Sequence, residues 1–267
     1  MASAAVAAHR PSLVTSTVVI AKRSLLQFRR TPQLLWTVTV QGVLFLIIFR
    51  YIFGGAIGTG SLPYVDFAVP GIITTMLLWS GMRAAVSIAE DRGQGLYDRL
   101  RSLPIPRTAV LSGRAVADVA TQVWALFIMT LAGFVVGFRL HGEVVDGVIA
   151  FALIIVFSFA FEWVWITTGL YASNAQAAQG IAFLFVPLTF VSSAYVPVSS
   201  MPSGLRAFAA HQPVTYMIDA VRSLTGGPQA EALLGHPASY FVVRALIWSA
   251  VIVLVFGAIG VARYQRG

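Results

Sequence analysis

Six runs of apolar residues partition this chain, at approximately 34–53, 67–89, 109–137, 148–171, 180–196 and 240–262. Crossing the hydrocarbon of a bilayer takes about 20 helical residues at ~1.5 Å rise each. Five runs reach that length; the fifth is the shortest, and Pro187 inside it predicts a kink. Only 10% of the 267 residues are charged and 58% are hydrophobic. A soluble domain carries about 25% charged residues, so this chain lacks the polar side chains to cover a water-facing surface. The fold class expected is all-α integral membrane, with six transmembrane helices.

Basic residues in short loops set the orientation of such a bundle. Arg10, Lys22, Arg23, Arg29 and Arg30 precede the first run, Arg92, Arg99, Arg101, Arg107 and Arg114 follow the second, and Arg263 and Arg266 follow the last. The opposite side holds only Arg139, Arg206, Arg222 and Arg244. This bias places both termini in the cytoplasm, N-in and C-in. The net charge of +8 is the inner-surface bias of a membrane protein; no basic stripe with interleaved aromatics suggests a nucleic-acid partner. A single lysine, Lys22, against 17 arginines suggests a GC-rich bacterial genome, and hence a bacterial cytoplasmic (inner) membrane.

Residues 1–11 read as a disordered cytoplasmic tail with no cleaved signal. Residues 12–31 are too polar to span. Val14, Val18, Ala21, Leu25 and Phe28 form one stripe, with Lys22, Arg23, Arg29 and Arg30 off it. That pattern predicts an amphipathic interfacial helix on the inner membrane surface, its cations against lipid headgroups. Thr31-Pro32 ends it, and residues 32–267 form a single transmembrane domain.

Two constellations stand out. In the loop after the second run, Leu96, Leu100 and Leu103 give a short helix an apolar edge flanked by Asp98, Arg99 and Arg101, and Pro104 and Pro106 stop it. An exposed helix of this kind suits a partner's groove. Within the spans, Arg83, Asp118 and Glu162 all fall in the inner half of the bilayer, where each charge costs about 2.5–3.5 kcal/mol. That cost predicts that Arg83 pairs with Asp118, Glu162 or both. Arg50, near the outer end of the first run, snorkels to headgroups.

Glu90, Gly93, Arg99, Pro104 and Arg114, at this spacing after a second span, resemble the signature of the ABC type-2 exporter permeases. The segment DRGQGLYDRLRSLPIPRTAVLSGR most resembles the daunorubicin-resistance branch. A second stretch resembles the family's closing motif before the last span: Tyr195-Val196-Pro197, Met201-Pro202, His211 through Tyr216 including Pro213, and Asp219 through Arg222. Gln212 stands where Asn is commoner in the family. The resemblance implies a six-helix permease working as a dimer with a second copy or a similar subunit. It implies a cytoplasmic coupling helix within 90–106 that touches two copies of a separate ATPase. It also implies short outer-leaflet re-entrant helices between Pro197 and Arg222. The expected coupling residues are Glu90, Gly93, Leu96, Arg99, Leu100, Arg101, Leu103 and Pro104. ATP and Mg are expected on the ATPase, because this chain has no G-x-x-x-x-G-K-[ST] phosphate loop.

A hydrophobic drug-like or lipid-like substrate fits the branch and the aromatic runs around Phe157, Phe159, Phe161, Trp163 and Trp165, and around Phe183, Phe185 and Phe190. A polysaccharide or glycolipid exporter of the same family is the alternative. An intramembrane lipid-modifying enzyme would need a nucleophile or histidine beside Arg83, Asp118 and Glu162. An ion-coupled secondary transporter would show repeated halves. Zero cysteines exclude disulfide and thiol chemistry, and His211 and His236 lack metal-ligand spacing. No catalytic residue, no metal site and no cofactor is expected on this chain.

Overall fold

The computed structural model describes residues 32–60, 62–97 and 107–266. The expected tail 1–11 and interfacial helix 12–31 lie outside those residues. The described residues are helical, with no strand among them. Helix α1 (Pro32–Ile48) runs into a π-helical turn (Phe49–Phe53). Then come α2 (Tyr64–Gly93), α3 (Arg107–Val135), α4 (Val144–Tyr171), α5 (Ala175–Phe183) and α6 (Val186–Phe190). A 3₁₀ turn (Val198–Ser200) leads to α7 (Ser203–Ala209), α8 (Pro213–Leu234) and α9 (Ala238–Arg266).

Local chemistry sets several of these ends. Glu143 and Asp146 form a reciprocal capping box at the start of α4. The Asn174 side chain accepts from the Ala177 amide at 2.8 Å and starts α5. Pro213 opens α8 at a first-turn position, where its missing N–H is not needed. Gly235 closes α8 with φ +73°, a left-handed cap that glycine adopts without strain.

Four helices are long and apolar enough to cross a membrane: α2, α3 from Val110, α4, and α9 to Gln265. Two shorter apolar stretches, Val40–Phe53 and Ala175–Phe190, occupy the places of the first and fifth runs. The fifth is not one kinked helix. Helix α5 ends at Phe183 and α6 restarts at Val186, with Pro187 in its first turn. Proline disfavours helical geometry in the residue before it and suits a helix start, so the chain breaks ahead of Pro187 rather than bending through it. Helix α8 is also longer than the short helices expected there. It continues past Arg222 to Leu234, with an abrupt change of direction at Gly227 (φ +56°) before Pro228.

Small residues bring the helices close. A Cβ on Gly81 would overlap the Trp165 ring, and one on Gly169 would sit 2.5 Å from the Ala85 carbonyl. These two positions seat α2 against α4. A Cβ on Gly260 would sit 2.9 Å from the Thr167 hydroxyl, where α9 meets α4. The buried aromatics Phe157, Phe161 and Trp165 fill this core, whereas Phe183 points outward.

Contacts between helix ends define two poles. At one, the end of α2 meets the start of α3 and the ends of α4 and α9. At the other, the start of α2 meets the segment after α3 and the middle of α8.

Candidate functional site

The first pole carries the base of the 90–106 segment. Helix α2 stops at Gly93, and Gly95 follows with φ +70°, a left-handed turn open to glycine. Glu90 and Gly93 are exposed, Leu96 is half-buried and Tyr97 is buried. Arg99, Leu100, Arg101, Leu103 and Pro104 lie outside the described residues, and so does the expected helix that their pattern defines.

Three ties hold this base. Arg92 reaches across to α4 and donates to the carbonyls of Leu170 and Ala172, groups that a helix end leaves without an intrahelical partner. The Tyr97 ring meets Tyr264 of α9 edge-on, with centroids 5.5 Å apart. Arg114 of α3 donates to Asp118 at 2.7 Å and to Asp91 of α2 at 3.4 Å. Burial pushes the Tyr97 phenol well above its ordinary range, and the Arg114 guanidinium draws it part-way back.

Arg83, Asp118 and Glu162 come together electrostatically but not in the expected pairing. Arg83 feels both carboxylates, yet among the described residues no ion pair joins it to either. Its Nε donates to the Ser80 carbonyl at 3.3 Å on its own helix. Asp118 is taken by Arg114, one turn away on α3, which needs no register between helices. Glu162 is fully buried. One of its oxygens accepts from Gln122 Nε2 at 3.0 Å, and the other has no hydrogen-bond partner.

At the second pole, Arg222 of α8 is fully buried, stacked 3.7 Å over the Phe67 ring. Its Nε donates to the Phe67 carbonyl at 3.0 Å, one Nη to the Ser193 carbonyl at 2.7 Å, and the other to Asp219. Ser193 Oγ donates to the same Asp219 oxygen at 2.7 Å. A buried charge survives only when paired and hydrogen-bonded, and here the pairing joins α2, the 191–197 segment and α8. Around it, Tyr64 donates to the Tyr195 carbonyl at 3.2 Å, and Gln212 donates to the carbonyls of Leu188 and Val191. A Cβ on Gly71 would collide with the Ala194 carbonyl, so this segment is pressed directly against α2.

Met201 and Tyr216 are buried, Pro197 and Pro213 half-buried, and Pro202 is exposed. Arg206 caps the Met201 carbonyl at 2.9 Å. Asp66, at the start of α2, accepts from the Arg139 amide at 2.8 Å and lies 3.8 Å from His141. Sequence reasoning does not reach this Asp66 contact; a lone acid at a helix start beside a basic loop is the only signal for it.

The ABC-2 type transporter signature matches residues 15–225, most of the chain. The chain belongs to the ABC-2 type transporter family. It is 29% identical over 219 residues to the daunorubicin resistance ABC transporter permease protein DrrB1 of Streptomyces coeruleorubidus, covering 82% of this chain and 77% of that one. It is 25% identical over 261 residues to the probable doxorubicin resistance ABC transporter permease protein DrrC of Mycobacterium tuberculosis, covering 95% and 89%. The inner membrane transport permease YadH of Escherichia coli is 24% identical over 183 residues, 67% of this chain and 70% of that one. As an ABC-2 chain this is a membrane-embedded transport subunit. Both poles fall largely within the matched stretch; its end at 225 excludes α9, whose Tyr264 closes on Tyr97.

Proposed function

We propose that this chain is the membrane-spanning permease of an ATP-driven exporter, driven by a separate ATPase through residues 90–106. The reading has six spans, counting Val40–Phe53 with its preceding turns and the broken α5–α6 pair, with both termini in the cytoplasm of a bacterial inner membrane. Two permease copies, or this chain and a similar one, dock two ATPase subunits that hold ATP and Mg. The cargo is a hydrophobic drug-like or lipid-like molecule leaving the cytoplasm or inner leaflet. Relatives named for daunorubicin and doxorubicin resistance support that class of cargo.

One observation carries the coupling reading. The base of the 90–106 segment is tied at once to α3, α4 and α9, through Arg114, Arg92 and Tyr97. A push on the segment therefore reaches three helices together, with no need for a long path through the core. At the other pole, α7 exposes Leu205 and Phe208, which suits a short helix resting in the outer leaflet.

The test is co-purification from the native membrane. The chain should bring down an ATPase with a phosphate-loop motif, and Leu96→Asp with Leu100→Asp should release that ATPase while the membrane part stays folded. A chain that moves cargo with no ATPase present would contradict the proposal.

A further inference from the structure

At the second pole a cavity of about 280 Å³ opens between α8, α9 and the 193–199 segment. We propose that it binds the ammonium group of an amphiphilic amine, with Asp219 and His211 as the acceptors. The sign of the charge follows from which polar atoms remain unused.

Arg222 borders the cavity but offers it nothing. It is fully buried, and its three nitrogens are taken up by Phe67, Ser193 and Asp219. Asp219 is 5% exposed. Its Oδ1 takes both Arg222 and Ser193, whereas Oδ2 has no hydrogen-bond partner among the described residues and stays open to the cavity. His211 Nδ1 lies 2.9 Å from the Ala207 carbonyl. A carbonyl can only accept, so Nδ1 carries the proton and the neutral ring presents Nε2 as a second acceptor. Acceptors without a free cationic donor select a ligand rich in N–H groups. A phosphate or carboxylate here would meet a carboxylate and a lone pair instead.

The rest of the wall suits the carbon part of such a ligand. Tyr216 and Phe241 are buried and line it, and Leu233 and Leu234 close another side. Aromatic walls favour a cation over an anion. His236 and Arg244 already cover the two faces of Tyr240, at 4.0 Å and 3.4 Å, so that ring serves as a fixed partition.

The ammonium group has two sources, an aminophospholipid headgroup or a soluble amphiphilic amine, and one experiment separates them. The full chain is placed in phosphatidylcholine nanodiscs without nucleotide or ATPase, so the outcome is independent of the export reading. Octylamine bearing a diazirine is photo-crosslinked, and the adducts are located by peptide mass spectrometry. Adducts should fall on the peptides that line the cavity. Unlabelled octylamine should displace them at about tenfold lower concentration than octanol or octyl phosphate, as expected for a charge-assisted bond.

Asp219→Asn strips a buried arginine of its partner and risks misfolding. Two other variants avoid that. Leu233→Trp, from a half-buried position, fills the cavity and should cut labelling about tenfold. His211→Leu, at an exposed position, removes one acceptor and should cut it about threefold. Replacing half the phosphatidylcholine with phosphatidylethanolamine should lower labelling if the headgroup is the occupant. Unchanged labelling there assigns the cavity to a soluble amine. Equal competition by octanol or octyl phosphate, or undiminished labelling in Leu233→Trp, overturns the proposal.

Discussion

At the pole where α2 ends, Arg114 bridges two carboxylates with its side chain still 23% exposed, and Arg92 binds only backbone carbonyls. At the other pole, Arg222 is sealed from solvent and shared among three parts of the chain. Both use an arginine to bind carbonyls at the edge of the bundle, but the surroundings differ. Partly hydrated ion pairs are individually weak and exchange readily, whereas a buried pair cannot be half-broken without stranding a charge. The first pole is therefore built to be rearranged and the second to stay put, which is the division expected of a chain pushed from one side.

Four substitutions probe that contrast, from the largest effect to the smallest. Arg222→Met strands Asp219 and should cost about 3–5 kcal/mol of stability, seen as loss of folded chain in detergent. Adding Asp219→Asn should recover part of it, because the pair is then removed as a unit. Gly71→Val forces a side chain into the Ala194 backbone and should cost about 1–3 kcal/mol as overpacking. It is read as a lower melting midpoint.

At the rearrangeable pole, Arg92→Met leaves the end of α4 without its donor and should cost about 1–3 kcal/mol, expressed mainly as faster amide exchange next to Ala172. The variant should still assemble with its ATPase but transport poorly. Arg83→Ala removes a cation that forms no ion pair among the described residues and should change stability by only about 0–1 kcal/mol. A loss near that of Arg222→Met would show that Arg83 holds the bundle together as firmly as its counterpart, and the contrast would fail.

The long spans are legible in the sequence because hydropathy and length suffice for them. The runs at 67–89, 109–137, 148–171 and 240–262 coincide with α2, α3, α4 and α9 to within a few residues. The fifth run is less legible, since a proline's effect depends on whether the chain before it stays helical, and here it does not. The extent of α8 is hidden because Gly226-Gly227-Pro228 reads as a terminator, yet the chain turns there and resumes as helix.

The second motif marks Asp219 and Arg222 for attention, but their burial follows from Phe67 and Ser193, residues 155 and 29 positions away from Arg222. Pairing within the charge cluster escapes the sequence for a similar reason. Arg114 reads as a loop cation, whereas α3 has already begun by Arg107, which sets Arg114 and Asp118 one turn apart on the same helix.

The most direct test of the central claim uses the absence of cysteine. Leu100→Cys gives the chain a single thiol, to be crosslinked in native membranes and analysed for a covalent product with the ATPase. A product that forms from the cytoplasmic side, and changes in yield when ATP is added, is the predicted result. A thiol that is labelled by an impermeant reagent from outside the cell and never joins an ATPase would contradict the account.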